Sequence, residues 1–486
     1  MKKLSILFAL SAAAFLSCNK LVEEPNSIIT SAQFYKTQSD AVAAVAAVYS
    51  TLNSDPAGDF PMYGRNLNLL TGNGSDDQIF SPSNTNPDVR ALGTATYVPA
   101  NDRIKKNWQQ HYYGISRANV AIDNIPNITF DTTLRSRLVR EAKFIRALLY
   151  FNVVRFWGDA PLILHDPTST KVDALKVERT PKEQVYAQII ADLTDATNLP
   201  KTYGAADKGR AISGAAHALL AKVYVNRKEW DKALAELNTV VNGGSGYDLF
   251  PNYKDAFQKP TKNGAEHIFS VQFETNLGAK NSQQYLSNTN FSSFNPAVYP
   301  GDLPADSTLY LIYSPDDTRR DVTFFTKLYN AATGQTVDFG APRLAKFIDY
   351  SISPLTNQAS SGINFPVIRY ADILLLQAEV LNELNGGPTA DAYSAINRVR
   401  ARAHVPDLIA GLNQADFRDS VFDERRKEFF QEGMRWFDLS RRGGTYLYDA
   451  LKKFPAKTGA AVRDTLYPIP QAEIDLNPLL TQNPGW

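Results

Sequence analysis

Apolar residues recur at helical spacing over most of the chain. Residues 40–49 place valines three positions apart among alanines, which predicts a helix with a narrow apolar face. Thr180, Pro181 and Glu183 form a typical helix start with Thr180 as the cap. The periodicity predicts further helices over 103–125, 134–156, 181–197, 213–226, 230–241, 371–384, 390–403 and 417–432. The chain is therefore predicted to be mainly α-helical.

The predicted helices occur in pairs. Residues 219–224 and 230–237 form a two-helix unit in which the small side chains of Ala221 and Ala233 let the helices approach each other. Units of about 34 residues of this kind are typical of tetratricopeptide repeats, where each unit covers the apolar face of the next. Two further pairs follow the same logic, 375–381 with 392–399 and, more loosely, 141–156 with 185–199. We predict a tetratricopeptide-like scaffold of helical hairpins.

Two long stretches interrupt the helical pattern. From 58 to 101, clusters of Gly, Pro, Asn and Asp predict irregular loops. Between 243 and 366, alternation over 268–273 predicts short strands among Asn-, Ser- and Pro-rich loops, above all 276–304. The tail 466–486 is predicted to have little regular structure. Binding residues usually lie on loops held by a rigid scaffold, so 58–101 and 243–366 are the predicted ligand-binding regions.

The first residues have the features of an export signal. Lys2 and Lys3 precede the apolar run 4–16, which is shorter than the roughly 20 residues that cross a bilayer. Ser17 then precedes Cys18, the only cysteine of the chain. This arrangement resembles a bacterial lipoprotein signal, although Phe15 occupies the position where leucine is usual. An ordinary secretory signal with an incidental cysteine is the alternative.

From this resemblance we expect three parts in the chain. Residues 1–17 are the predicted signal peptide, and Cys18 is the predicted lipid attachment site. Residues 18–31 are polar and are expected to form a tether. Residues 32–486 are expected to form a single domain that carries the ligand-binding loops.

Charge and motif content exclude several function classes. The chain of 486 residues has 51 Lys and Arg against 50 Asp and Glu, a formal net charge of +1 that provides no basic surface for nucleic acid. A single cysteine excludes an internal disulfide and a cysteine-rich zinc site. The stretch 204–210 has the glycine spacing of a phosphate loop but lacks its Lys and its Ser or Thr. No metal ligand spacing, cofactor motif or nucleophile elbow is present.

Adjacent carboxylates occur at Asp76–Asp77 and at Asp316–Asp317. A glycosidase needs two carboxylates that face each other across a sugar, about 5–9 Å apart. Sequence neighbours rarely achieve this geometry, so the signal for hydrolysis is weak. Such side chains can equally hydrogen-bond sugar hydroxyls or cap turns.

The densest charged stretch is 424–439, which also contains several aromatic residues. Opposite charges three positions apart, Arg425 with Glu428 and Glu432 with Arg435, are expected to share one helix face. Because paired charges interleaved with aromatic residues rarely stay exposed, we predict a buried structural network here rather than a ligand site.

Several segments together resemble the SusD/RagB family of surface lipoproteins of Bacteroidota-type bacteria. They follow the family order across almost the whole chain after Cys18. The segments are 141–151 with 157–161, 368–379, 397–402, 424–428 with 432–439, and 468–470 with 482–485.

The resemblance implies a SusD-like fold and a location on the outer membrane, facing the cell exterior. It implies a partner, a SusC-like TonB-dependent transporter, to which the protein would pass a captured nutrient, usually an oligosaccharide. It implies no catalysis and no cofactor. Alternatives are a peptide-binding member of the same fold, an assembly scaffold without a small ligand and, less favoured, a surface glycosidase.

A sugar site needs flat aromatic faces for the ring and amides or carboxylates for the hydroxyls. The two loop regions contain such side chains, although each aromatic residue could instead anchor its loop on the helical body. The candidate ligand-binding residues are Tyr63, Asp76, Asp77, Tyr97 and Asn101 in one block, and Tyr285, Asn288, Phe291 and Tyr299 in the other.

Overall fold

Helices make up most of the computed structural model, which describes residues 34–55, 60–81, 84–167, 171–274, 281, 302–330, 334–350 and 361–486. The predicted mainly α-helical class is confirmed. The helices are α1 (Gln38–Asn53), α2 (Leu67–Thr71), α3 (Pro87–Thr94), α4 (Asp102–Asn124), α5 (Thr132–Trp157), α6 (Lys182–Ala196), α7 (Ser213–Arg227), α8 (Trp230–Asn242), α9 (Arg320–Thr323), α10 (Tyr370–Leu384), α11 (Ala390–Arg402), α12 (Gln414–Phe429), α13 (Arg435–Arg442), α14 (Tyr446–Leu451) and α15 (Gln471–Leu476).

Consecutive helices pack side by side as an array of hairpins. Each helix from α4 to α8 contacts the next one along the chain. Helix α8 then contacts α10, and α10 contacts α11. Ala221 on α7 and Ala233 on α8 are both fully buried, as expected for small residues at a close helix contact. The three predicted helix pairs are confirmed.

Two predicted helix ends are wrong. Helix α6 begins at Lys182 with Pro181 in the cap position, and Thr180 does not cap it. Instead, the backbone of Thr180 pairs with that of Ala160 in an isolated antiparallel bridge. Helix α12 ends at Phe429, three residues before the predicted end, because the backbone of Phe430 leaves the helical region.

The prediction of irregular loops over 58–101 is wrong in part. The described part of this stretch contains a π-helical turn (Met62–Asn66), α2, strand β1 (Gln78–Phe80) and α3. Its polar side chains satisfy backbone groups inside the fold; Asn86, for example, accepts hydrogen bonds from the backbone of Asp88 and Val89 at the start of α3. Residues that predict loops by composition therefore serve here as caps and buried hydrogen-bonding groups.

The strands form antiparallel two-stranded pairs rather than one sheet. Within the described residues, β1 pairs with β3 (Asp302–Pro304), β2 (His267–Val271) with β6 (Phe365–Arg369), and β4 (Phe324–Asn330) with β5 (Gln335–Leu344). All residues of β2 and β6 are buried. The predicted strand near residue 268 is confirmed.

The tail is more ordered than its composition predicts. It contains the short helix α15 and inserts Tyr467 and Ile469 into the core. The ring of Trp486 stacks on Tyr97 with 5.1 Å between centroids. The tail thus closes over the segment that follows α3.

Candidate functional site

A network of buried charged side chains joins the end of β6 to α11 and α12. Glu428 accepts hydrogen bonds from Arg369 Nη1 at 2.8 Å and from Arg402 Nη2 at 2.5 Å. Arg319 Nη1 lies 3.2 Å from Oε2 of the same carboxylate. Burial by itself would raise the pKa of Glu428, but the guanidinium groups of Arg402, Arg369 and Arg319 hold that pKa well below its ordinary value. The predicted buried network is confirmed.

Lys346 connects this network to the segment that follows β5. Its Nζ lies 3.0 Å from Glu432 Oε1 and donates to the carbonyl oxygen of Glu428 at 3.2 Å. Nζ also lies 5.0 Å from the centroid of the Phe257 ring. Burial lowers the pKa of Lys346 to about 8. Lys346 therefore fixes the backbone after β5 and the Phe257 ring to the rigid centre of the molecule.

The sequence spacing placed Arg425 and Glu428 on one helix face. In the structure, however, the two side chains do not pair with each other. The guanidinium of Arg425 lies 2.7 Å from Asp372 Oδ1 on α10 and 2.9 Å from Asp438 Oδ2 on α13. Helix α12 turns Arg425 and Glu428 towards different neighbours, so their partners come from distant parts of the chain.

Arg435 does not pair with Glu432 either. The two residues lie on separate elements, because α12 ends at Phe429 and the backbone takes a positive φ of 68° at Gln431. Arg435 instead holds Asp76 in a bidentate pair with both N···O distances at 2.8 Å.

A cavity of about 410 Å³ lies above Lys346 and Phe257. Its volume is in the range of small-molecule sites, about 300–1,000 Å³. The cavity is enclosed by the segments 254–260, 321–322 and 345–350, and by Ile363. The lining residues are Lys254, Phe257, Gln258, Lys259, Pro260, Asp321, Val322, Ala345, Lys346, Ile348, Asp349, Tyr350 and Ile363.

The rim of this cavity combines an aromatic ring with polar groups. Tyr350 is 59% exposed, whereas most large aromatic side chains of the described residues are buried. Lys254 and Gln258 are exposed beside it. Lys259 Nζ lies 3.6 Å from Oδ2 of the buried Asp349. An exposed ring beside an amide and charged groups is the chemistry that a sugar site requires.

These rim residues fall within the predicted ligand-binding region 243–366 but are not among the residues that the sequence predicted for the site. The available signal was the dipeptide Asp349–Tyr350, an aromatic residue beside a carboxylate at the start of a polar stretch. Residues 351–360, which continue this stretch, lie outside the described residues.

Asp76 and Asp77 lie side by side, but both are buried and held by arginines. Arg435 binds Asp76, and Arg426 Nε donates to Asp77 Oδ1 at 2.7 Å. Burial by itself would raise the pKa of Asp76, but Arg435 and Arg426 hold it well below its ordinary value. These contacts attach the stretch before β1 to α12 and α13.

Tyr63 and Tyr97 are also inside the fold, which agrees with the alternative that each ring anchors its segment on the helical body. Tyr63 is 2% exposed, and its hydroxyl accepts a hydrogen bond from Asn152 Nδ2 at 3.0 Å. Tyr97 is 3% exposed, and its hydroxyl donates to Asp464 Oδ1 at 3.1 Å. Both rings face core residues because the segments that carry them fold into the body.

Asn101 is buried at the start of α4. Its side-chain oxygen accepts hydrogen bonds from the backbone of Arg103 at 3.0 Å and of Ile104 at 3.2 Å, a helix-capping role. The remaining predicted site residues lie outside the described residues: Cys18, Tyr285, Asn288, Phe291 and Tyr299. Their roles stay predictions.

No group of three or more His, Cys, Asp or Glu among the described residues is placed to hold a metal ion. No helix in this part of the chain is both long and apolar enough to span a membrane.

Two family models match this chain, one towards each end. The model described as SusD family matches residues 299–486, and the one described as starch-binding and associating with outer membrane matches residues 30–225. The chain belongs to the SusD/RagB family. The matched ranges include α1 to α7 on one side and α10 to α15 on the other, so membership rests on the scaffold as well as on the signature segments.

Similar proteins cover nearly the whole chain. SusD-like protein P2 of Formosa agariphila is 29% identical, and the alignment covers 100% of both chains. A solved SusD homolog from Bacteroides thetaiotaomicron has a TM-score of 0.82 and 25% identity, over 94% of this chain and 98% of that one. A solved protein described as a laminarin binding SusD-like protein has a TM-score of 0.75 and 27% identity, over 93% and 100%. The SusD-like fold is therefore established for this chain.

Proposed function

We propose that this protein is a cell-surface lipoprotein that captures an oligosaccharide and passes it to a SusC-like TonB-dependent transporter in the outer membrane. The cavity above Lys346, with Tyr350 at its rim, is the observation that carries the proposal. The starch-binding description of one family model and the laminarin-binding neighbour support a carbohydrate ligand.

The lining of the cavity suits a neutral sugar. The exposed face of Tyr350 can stack on the C–H surface of a sugar ring, and the Gln258 amide and the Asp349 carboxylate can hydrogen-bond hydroxyl groups. The apolar floor, Phe257 and Ile348, is buried and excludes water from one side of the ligand. The floor is held by Lys346, so little ordering is needed when a ligand binds.

We propose that the protein binds its ligand without catalysing a reaction. The adjacent pair Asp76 and Asp77 is buried and compensated by Arg435 and Arg426, so these carboxylates have no role in glycoside hydrolysis under this proposal. Capture followed by transfer needs only reversible binding.

Attachment to the membrane is proposed to occur through Cys18. Removal of residues 1–17 would leave this cysteine at the new N-terminus, and residues 18–31 would tether the folded domain to the outer leaflet, facing the cell exterior. More than one acyl chain is needed for stable anchoring. A tethered domain of this kind can stay close to its transporter while its loops collect ligand.

The test measures oligosaccharide binding by calorimetry with two matched tyrosine variants. Laminarin and starch oligosaccharides are titrated into the wild type, Tyr350→Ala and Tyr329→Ala. Tyr329 is a suitable control because it is 61% exposed on β4 and does not line the cavity. Tyr350→Ala is expected to weaken binding by about 1–3 kcal/mol, the effect of an aromatic anchor, and Tyr329→Ala to leave it unchanged.

Three results would contradict the proposal. Equal affinity of both variants and the wild type would place the ligand elsewhere. Binding of peptides in place of every oligosaccharide would favour the peptide-binding alternative, and turnover of the oligosaccharides would show an enzyme.

A further inference from the structure

A second cleft, of about 370 Å³, lies where the ends of α5 and α7 meet the start of α6 and the end of α13. It shares no lining residue with the cavity above Lys346. Its charged lining is mainly cationic, with Glu183 as the acidic member; the cations are Arg155, Lys182, Arg227, Lys228 and Arg441.

Arg155 is the most constrained of these cations. Its Nε donates to the carbonyl oxygen of Phe151 at 2.9 Å, and its Nη2 donates to Asn152 Oδ1 at 2.6 Å. The guanidinium lies 3.6 Å from the ring centroid of Phe437. Within the described part of the chain, Nη1 has no hydrogen-bond partner and no carboxylate pairs with Arg155. A fixed guanidinium with a spare donor group therefore lines this cleft.

The other cations divide into two groups. Arg227 pairs with Glu183 and Glu229, and Arg441 pairs with Glu379 and Asp438, so acidic residues compensate both. Lys182 and Lys228 are exposed and form no ion pair with any other described residue. The cleft therefore has an uncompensated positive charge from Arg155, Lys182 and Lys228.

We propose that this cleft binds an anionic sugar substituent, a carboxylate or a sulfate group. A guanidinium with a fixed plane and free N–H groups matches these oxyanions, and the two ammonium groups add a positive field. The volume exceeds what a lone carboxylate needs and is within the range of small-ligand sites. Asn226, Ser440 and Thr465 add amide and hydroxyl groups to the lining.

That a sugar carries the anion rests on the proposed function, whereas the anion site itself does not. The protein would then hold two parts of one acidic glycan, or two ligands. A neutral ring would bind at Tyr350 and an acidic residue at Arg155.

The test uses small probes and the full-length protein in calorimetry. The probes are glucuronate, glucose 6-sulfate, glucose and inorganic sulfate. Glucuronate and glucose 6-sulfate are expected to bind more tightly than glucose, which has no anionic group for this cleft, and added sodium chloride is expected to weaken the binding of the two anions only. Arg155→Gln should raise Kd about tenfold or more because a charged hydrogen bond is lost.

A double variant keeps the test valid should Arg155→Gln fail to fold. Lys182→Gln with Lys228→Asn removes two exposed charges, and Asn is well tolerated at the positive φ of 60° of residue 228. It should raise Kd about threefold to tenfold. The matched control is Lys452→Gln with Lys453→Gln, two exposed lysines outside the cleft, which should change nothing.

The outcomes separate this proposal from the proposed function. Tyr350→Ala should retain the full affinity for glucuronate. Equal binding of glucose and glucuronate, or no effect of the double variant, would overturn the anion site. Equal affinity for inorganic sulfate and glucose 6-sulfate would overturn the claim that a sugar carries the anion.

Discussion

Lys346 and Glu432 form a buried ion pair, with 3.0 Å between Nζ and Oε1, directly beneath the candidate site. Lys346 follows β5, whereas Glu432 lies in the turn after α12. The pair therefore joins a loop that lines the cavity to the central charge network. Because a buried charge is costly without its partner, this link restricts where the cavity floor can lie.

We predict that Glu428→Gln destabilises the fold more than it affects ligand binding. The substitution leaves Arg319, Arg369 and Arg402 buried with one anion fewer. Breaking a buried pair of this kind costs about 3–5 kcal/mol. Urea denaturation at pH 7 measures the loss, and calorimetry on the folded fraction measures the affinity.

The matched control for this variant is Glu473→Gln. Glu473 accepts a hydrogen bond from Gln109 at the surface. The free energy of unfolding of the Glu473→Gln variant should therefore differ from that of the wild type by less than about 1 kcal/mol. An unchanged stability of Glu428→Gln together with lost binding would make the network part of the ligand site.

We predict that Arg435→Ala lowers stability at pH 7 and that the deficit shrinks in acid. Arg435 and Arg426 hold the pKa of Asp76 below its ordinary value of 3.8. The folded state therefore releases a proton more readily than the unfolded state, and the stabilisation by the ion pair is lost as pH falls below about 3.8. Denaturation of both proteins from pH 7 to pH 2 should show a difference in stability that is constant above about pH 4 and narrows as the pH falls further.

A constant difference in stability between the wild type and Arg435→Ala across that pH range would contradict the assignment of Asp76 as the partner of Arg435. Lys176→Ala is the control, because Lys176 pairs with the exposed Asp173 at 2.8 Å and surface pairs contribute little. Its unfolding curve should follow the wild type at every pH.

We predict that Gln258→Ala weakens oligosaccharide binding and leaves stability unchanged. The exposed Gln258 amide at the cavity rim is proposed to hydrogen-bond a sugar hydroxyl, an interaction worth about 0.5–1.5 kcal/mol. Calorimetry gives the affinity and thermal unfolding gives the stability. Gln184→Ala, an exposed residue of α6 that does not line the cavity, should bind like the wild type. Loss of affinity in both variants would show that the change in binding does not come from the cavity rim.

We predict that Cys18→Ala leaves the fold intact and releases the protein from the membrane. Without the thiol there is no site for acylation, and a polar tether has no affinity for lipid. Cell fractionation and labelling with a fatty-acid probe measure the change, with Ser27→Ala as the control. Continued labelling and membrane association of Cys18→Ala would refute the lipoprotein assignment.

The helices and their pairing could be predicted from the sequence because they depend on neighbours a few residues apart. The valines of 40–49 and the alanines Ala221 and Ala233 set an apolar face and a close contact, and both appear in the structure. The family could be identified for a similar reason, because its signature segments are short and keep their order.

The sequence alone predicted that the charges in 424–439 are buried, but not which residues they pair with. Spacing on one helix favours i,i+3 partners, whereas the partly buried guanidinium of Arg435 pairs with Asp76, more than three hundred residues away along the chain. Tyr63 and Tyr97 show the same limit, since the composition of the stretch 58–101 predicts loops whereas both tyrosines are buried. Only tertiary structure decided these contacts and the position of Tyr350, because burial and charge pairing depend on which distant segments the folded chain brings together.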